Sequence, residues 1–390
     1  MELLKGIRIL DLTRLLPGDF CTLLLADMGA EVIKIEEPRA GDYIRWYPPL
    51  VAGYSAMHYY INRNKKSVTL NLRTEEGREI FYRLVKKADV VVESFRPGVV
   101  KSLRIDYETV KRYNPQVIYC SISGYGQTGP YRDFPGHDLN YIAIAGILGI
   151  TGRRGGPPII PGVQIADLSS GMFAAMAILA ALIARERTGR GQYIDVSMLD
   201  CAISWLSIHA INYFIENVEP KRGEMLLNGG FPFYNVYETK DGKYITIACL
   251  EPKFWENFCK AVGRDDLRSK HFVTGDEREK VFEELRKIFK EKTRDEWFSI
   301  LSKADVCCGP VYTFGEVFND PHVKERGMVI EVEDKRTGKL KQLGFPVKFS
   351  DAKMSVRNVG PVLGEHTVEV LRELGYSDNQ IRELKERGVI

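Results

Sequence analysis

The sequence predicts an α/β protein, with an open, mostly parallel sheet followed by a smaller α+β unit. Three observations carry the prediction. Short β-branched apolar runs alternate with helical segments over residues 7–123. After about residue 225 the style changes, and an Asp241-Gly242 turn joins two alternating strands. The length of 390 residues, with 44% apolar and 27% charged positions, suits a soluble chain of two or three units at about 150 residues per domain.

The elements follow in order. Ile7–Thr13 reads as a buried strand, Pro17–Met28 as a helix stopped by Gly29, and Glu31–Glu36 as a second strand. A right-handed crossover makes these two strands parallel. The alternation continues with a strand over 68–72, a helix over Thr74–Lys87, a strand over 88–95, a short helix near Asp106–Tyr113 and a strand over 116–123. Two Gly/Pro loops, 124–136 and 151–162, flank an apolar helix over 139–150. A long helix is expected from about Ser169 to Arg187, then a strand at Ile194–Met198 and one helix over 199–217. The hairpin at 232–249 opens the smaller unit, and amphipathic helices follow near 252–262, 277–290 and 294–303. The tail from 316 holds short strands and a helix near 365–374. The large domain is thus expected to comprise 1–200 and 316–390, with a linker helix region at 201–224 and the small domain at 225–315.

Composition narrows the function classes. Lys plus Arg is 55 and Asp plus Glu is 52, a net charge of +3, which gives no electrostatic case for nucleic acid as a partner. Seven cysteines without a CxxC pair fit reduced thiols. The first residues enter a strand pattern at once, unlike a signal peptide, and the apolar run Met172–Ala184 is too short to span a bilayer. No membrane association is expected, and the expected location is cytoplasmic. No HExxH or other ligand run points to a metal, and no G-x-S-x-G points to a hydrolase nucleophile.

Several motifs bear on chemistry. Gly124-Tyr-Gly126-Gln-Thr-Gly129 matches a dinucleotide fingerprint, but Pro130 and Pro135 prevent the helix that would hold a pyrophosphate, so neither NAD nor FAD is expected. Asn62, Arg63, Asn64 and Lys65 form a cationic and amide cluster, with Arg39 before it and Arg96 on a later loop. Such a set reads either as a receptor for phosphates or as a solvated basic edge. The histidines number six, and His137 stands out because Gly136-His137-Asp138 closes a loop. Asp167 sits just before the expected long helix, as an N-cap or as a carboxylate held ionised by the helix dipole. Glu251, ahead of Pro252, has the same helix-start explanation.

Taken together, GIRILDLTRLLPGDFCTLLLADMGAEVIKIEEPRAGD, NRNKKSVTLNL, ESFRPGVV, NPQVIYCSISGYGQTGPYRD, ADLSSG, RTGRGQYIDVSMLD and GEHT resemble the family III CoA-transferases, which include the alpha-methylacyl-CoA racemases. The resemblance covers nearly the whole chain. It implies a Rossmann-like large domain built from both ends of the chain and an interlocked homodimer in which Glu251 acts from the partner's small domain. It also implies an acyl-CoA thioester as substrate, with no cofactor beyond the CoA moiety. Branch markers favour the racemases. Gly136-His137-Asp138-Leu139-Asn140-Tyr141 matches their G-H-D-x-N-Y motif, Asn228–Tyr234 resembles DGGAPFY, and Leu250-Glu251-Pro252-Lys253-Phe254-Trp255 resembles I-E-P-x-F-[WY]. The glycine-rich loop of several transferases is not found.

By this resemblance His137 and Asp167 are the catalytic pair, Glu251 supports His137, and CoA contacts fall to Arg39, Asn62, Arg63, Asn64, Lys65, Arg96, Gly136, Asp138, Asn140 and Tyr141. Glu37 stands where many racemases have Arg, so Arg39 is the substitute cation. Inverting a carbon beside a thioester requires removal of its proton and return of a proton to the opposite face, which two acid/base groups can do. Backbone N–H groups near Asp167 or at the Gly/Pro loops are expected to serve the enolate oxygen. The alternative is a CoA-transferase in which Asp167 is the nucleophile and forms an acyl-anhydride.

Overall fold

Six strands of the computed structural model, which describes residues 2–390, form one parallel sheet. They are β1 (Arg8–Leu12), β2 (Glu31–Glu36), β3 (Lys65–Thr69), β4 (Val90–Glu93), β5 (Ile118–Ser123) and β6 (Tyr193–Ser197). Their spatial order is β3-β2-β1-β4-β5-β6, so the chain reverses direction across the sheet between β1 and β4. Open α/β sheets place their ligands outside the carboxyl ends of the strands at that reversal.

One face of the sheet packs α2 (Glu75–Val85) and α3 (Tyr107–Tyr113), joined by the C-terminal helices Thr367–Glu373 and Asp378–Glu386 through Val370, Leu371, Ile381 and Leu384. Thr74 caps α2 and Asp106 caps α3, each accepting from a backbone N–H of the first turn. Toward the other face lie α1 (Leu15–Asp27) and the long helix α5 (Ile165–Thr188), packed on each other. By length and hydropathy α5 could cross a bilayer, but half of its most apolar window is buried within the chain, as expected of a core helix. All seven cysteines are free, and five are buried.

A set of buried charges lies between the sheet and α1. Asp11 on β1 is in register with Lys34 on β2. Lys34 Nζ donates to Asp19 of α1 at 2.5 Å and to the Thr13 carbonyl at 3.0 Å, and it pairs with Asp42 at 3.0 Å. Lys65 Nζ reaches Asp11 at 3.3 Å, Thr22 at 2.7 Å and Asn62 at 2.8 Å. Burial alone would raise Asp11, but Lys34 and Lys65 hold it below the usual carboxylate range. Burial pushes Asp19 up to about 7 against the pull of the same two lysines, with Asp42 and Asp11 adding repulsion. Three carboxylates thus share two ammonium groups.

Several expectations need correction. The third strand covers 65–69 rather than 68–72, because Asn71 and Thr74 already turn the chain into α2: Thr74 N–H and Oγ1 both donate to the Asn71 carbonyl. The apolar helix expected over 139–150 breaks at Gly146, whose φ is +86°, leaving α4 (Asp138–Ile144) and the short Ile147–Ile150. Helix α5 begins four residues earlier than expected, at Ile165. The helix expected over 199–217 is two, Met198–Ser204 and Ser207–Glu216, bent by 70°. A final helix, Asp378–Glu386, had no counterpart in the sequence reading.

The chain divides into two compact units, one made of residues up to Ala145 with Val163–Trp205 and Pro321–Ile390, the other of Gly146–Gly162 and Leu206–Asp320. Residues 146–162 were expected in the large domain. They cluster with the smaller unit because Arg222 donates to the Gly156 carbonyl and Asn228 Nδ2 to the Ile150 carbonyl at 3.2 Å. The smaller unit has a three-stranded antiparallel sheet, in the order Cys308–Pro310, Tyr244–Ala248, Tyr234–Glu238, with a core containing Phe233, Trp255, Phe258, Phe289 and Trp297.

Replacing Lys34 with Met leaves Asp19 and Asp42 buried without their shared cation. The expected loss is about 3–5 kcal/mol of large-unit stability, the usual effect of breaking a buried pair. A shift in the urea midpoint measures it, and a loss under about 1 kcal/mol would show that the lysine is dispensable.

Candidate active site

The strand carboxyl ends at the reversal point open into a cleft of about 1130 Å³, lined by residues of the larger unit only. Leu12–Leu15 lead from the end of β1 into α1, Ser94–Pro97 follow β4, and Ile122–Gly124 close β5. Gly136, His137, Asn140, Tyr141 and Asp167 line the same cleft. Its size is at the upper end of that of ligand pockets, which run to roughly 1,000 Å³.

The wall carrying His137 is built by aromatic packing into glycine spaces. The Tyr141 ring lies where a Cβ at Gly124 or Gly136 would stand, 2.6 Å away in each case. Tyr141 Oη donates to the Gly136 carbonyl at 2.6 Å, and its ring meets Tyr125 edge-on at 5.1 Å. Side chains at either glycine would displace this ring, so packing accounts for these two glycines. His137 starts α4 and is exposed, and its backbone N–H donates to Asn140 Oδ1 at 3.0 Å.

Asp138 links this wall to Asp167. The residue before α5, Gln164, supplies no side-chain cap. Asp138 Oδ1 supplies it instead, accepting from Ala166 N–H at 2.6 Å and Asp167 N–H at 3.2 Å. Asp138 was expected to contact CoA; its Oδ1 is occupied by this cap. Asp167 was expected before the helix and lies within its first turn. It was also expected to be held ionised by the helix dipole, yet its carboxyl is pushed up to about 7, by burial first and by the Asp138 charge second. Of the backbone donors expected for an enolate oxygen, near Asp167 or at the Gly/Pro loops, the Ala166 and Asp167 N–H groups are taken by Asp138.

Only part of the expected cationic receptor reaches the cleft. Arg96 lines it; Arg39 is exposed and not among the lining residues, and its N–H donates to the Glu37 carboxylate at 2.9 Å. The cluster Asn62, Arg63, Asn64 and Lys65 lies elsewhere, buried and internally neutralised. Arg63 pairs with Asp27 at 2.6 Å and donates to the Leu343 carbonyl at 2.6 Å. Asn64 Nδ2 donates to Asp27 at 2.8 Å and to the Ser355 carbonyl at 3.1 Å, while Asn62 and Lys65 belong to the buried set under α1. These side chains bind the C-terminal tail and α1, so they are neither a free phosphate receptor nor a solvated edge.

Three further arginines line the cleft and were missed: Arg14, Arg73 and Arg132. The available signal was position, since Arg14 and Arg73 stand just past the carboxyl ends of β1 and β3. Glu251 lies in the smaller unit, exposed, at the N-cap of Pro252–Ala261, where Trp255 and Phe254 N–H groups donate to its carbonyl.

Sequence and structure comparisons agree with this architecture. The model of the family described as CoA-transferase family III matches residues 4–367. Among curated proteins, succinyl-CoA:glutarate CoA-transferase of Homo sapiens is 38% identical, with 99% of this chain and 90% of that protein covered. Alpha-methylacyl-CoA racemase of Homo sapiens is 34% identical, with 99% and 97% covered. The crystal structure of a CAIB/BAIF family protein from Brucella suis superposes with a TM-score of 0.82 at 36% identity, covering 95% of this chain and 98% of that one.

Because Asp138 both caps α5 and repels the Asp167 charge, Asp138→Asn separates the two effects. The amide oxygen can still accept the two N–H bonds, while the like charge is gone. The Asp167 titration, followed by carboxyl NMR of Asp-labelled protein, is expected to move to lower pH than its position near 7. An unchanged titration would mean burial alone sets it.

Proposed function

The chain belongs to CoA-transferase family III, and we propose that it racemises or epimerises 2-methylacyl-CoA thioesters through an enolate. As a member of this CoA-transferase and racemase superfamily it is an enzyme, and acyl-CoA is a substrate consistent with the family. One observation carries the finer reading: His137 lines the same cleft as Asp167, and the Asp167 carboxyl titrates near 7. A group balanced between its acid and base forms at neutral pH can both donate and accept a proton.

In the forward direction the His137 imidazole removes the α-proton. The C–H pair moves into the bond to the thioester carbon, and the carbonyl π pair moves to oxygen. Protonated Asp167 then returns a proton to the opposite face, and the carbonyl reforms. The roles exchange in reverse, so one proton is lost and one gained in each turnover. Arg73, Arg96 and Arg132 are assigned to the CoA phosphates, since they line the cleft as cations. Glu251 is assigned a supporting role to His137.

A second reading is favoured by the relatives named as CoA-transferases. There the Asp167 carboxylate attacks the thioester carbonyl, CoA thiolate leaves, and an acyl-aspartyl anhydride forms. The proposal also includes a homodimer, supported by the helix Ser207–Glu216, which buries none of its residues and exposes Ile208, Ile211, Phe214 and Ile215. A monomer mass by sedimentation equilibrium would remove that part.

Incubating 2-methylacyl-CoA in deuterated water is expected to exchange the α-proton, and His137→Ala should slow exchange roughly 10²–10⁴-fold, the usual contribution of a general acid or base. Absence of exchange with every branched thioester tried would overturn the racemase reading. Hydroxylamine present during turnover with a carboxylic acid acceptor should leave Asp167 unmodified; an adduct there establishes transfer.

A further inference from the structure

We propose that Arg14 is a specificity-determining residue that binds a second carboxylate, carried at the far end of the acyl chain. The inference rests on the reading that an acyl-CoA occupies the cleft.

Arg14 is the N-cap of α1, two residues past the end of β1, and both sides of its backbone are fixed. Its N–H donates to Ser94 Oγ at 2.9 Å. The next residue, Leu15, has a φ of 61°, a left-handed conformation that costs a branched side chain on the order of 1–3 kcal/mol. The Leu15 N–H donates to both oxygens of Asp42, at 3.1 and 3.2 Å, and Asp42 is anchored by Lys34. The buried charges beneath α1 therefore hold this turn in place.

The Arg14 guanidinium lies near two rings of the cleft, 5.6 Å from the Tyr43 centroid and 5.4 Å from that of Phe95. Such cation–π contacts leave the N–H groups to bind a ligand. Each carboxylate of the 36–42 segment is engaged elsewhere. Asp42 takes Leu15, Ile44 and Lys34; Glu36 takes Arg45, Ser67 and the Asp42 N–H; Glu37 takes the Arg39 and Ala40 N–H groups. Among the described residues Arg14 forms no ion pair. A half-buried guanidinium without a counter-ion calls for an anionic partner, and its planar fork matches a carboxylate.

Arg14 and Asp167 line the same cleft, at the starts of two helices that pack on each other. A Cβ on Gly171 of α5 would stand 2.7 Å from the Pro17 carbonyl oxygen of α1, so the two helices touch there. Asp167 precedes Gly171 by about one turn, and Arg14 precedes Pro17 by about one turn, each roughly 5 Å along its helix. A carboxylate on a short acyl chain is therefore the anion in reach.

The test compares methylsuccinyl-CoA, thioesterified beside its methyl-bearing carbon, with 2-methylbutyryl-CoA, which has a methyl group in place of the free carboxylate. Equilibrium binding is measured by calorimetry, with free CoA as the reference ligand. The wild-type chain is expected to prefer methylsuccinyl-CoA by about 10- to 100-fold, the range of a charge-assisted pair. Arg14→Gln should weaken methylsuccinyl-CoA at least tenfold more than 2-methylbutyryl-CoA, and Arg14→Lys should keep part of the preference. Equal affinity of the wild type for the two thioesters overturns the inference. So does an equal loss for both thioesters and free CoA in Arg14→Gln, which would make Arg14 a phosphate contact. Failure of free CoA and both thioesters to bind the wild type overturns the acyl-CoA reading, and this inference with it.

Discussion

The pairing of Lys34 and Lys65 with Asp11, Asp19 and Asp42 is the constraint on which the rest of the larger unit depends. These five side chains come from β1, α1, β2, the loop after β2 and the start of β3, and each is buried. Three carboxylates around two ammonium groups cannot all be satisfied by charge alone. Thr13 and Thr22 therefore donate to Asp11 at 2.6 Å each, and Asn62 accepts from Lys65. Buried ion sets of this kind add little net stability over an apolar core, but they tolerate no missing member and so specify one arrangement. The arrangement they specify is the seating of α1 on the sheet, which fixes the turn leading out of β1 into the cleft.

A second device sets the opposite wall. Asp138, one residue beyond His137, supplies the cap that Gln164 does not give α5. A single carboxylate therefore couples the loop bearing His137 to the turn bearing Asp167, and its charge helps keep the Asp167 carboxyl near 7. Packing supports the same wall, since Tyr141 occupies the space left by Gly124 and Gly136. The cleft is formed by two helix starts, each held by a carboxylate that comes from elsewhere in the chain.

The C-terminal tail is part of this scaffold. Arg45 forms a two-point contact with Glu36, at 2.7 and 2.5 Å, and donates to the Pro361 carbonyl at 2.8 Å. The buried His58 ring donates to that carbonyl as well, and burial together with Arg45 lowers its pKa to about 3, so it stays neutral. Arg63 and Asn64 tie Leu343 and Ser355 to α1 through Asp27. Cations that read in sequence as a ligand receptor are thus the means by which the last quarter of the chain closes on the first.

The fold class, the succession of strands and helices along the chain and the family were legible in the sequence by itself, because apolar periodicity and turn residues are local and the motifs are contiguous strings. So were His137 and Asp167 as candidates. What the tertiary structure decided was the company each charge keeps. Asn62–Lys65 and Arg14 look alike as letters, yet the former are neutralised by aspartates on other elements and the latter is not. Asp138 became a helix cap because its partner helix lies 28 residues away in sequence. Element ends moved for the same reason: Gly146 and the Asp138 cap settle where α4 stops and α5 starts. Whether a polar side chain is a ligand contact or a structural pair depends on which distant groups folding brings within hydrogen-bond reach, and that information is not local to any segment of the chain.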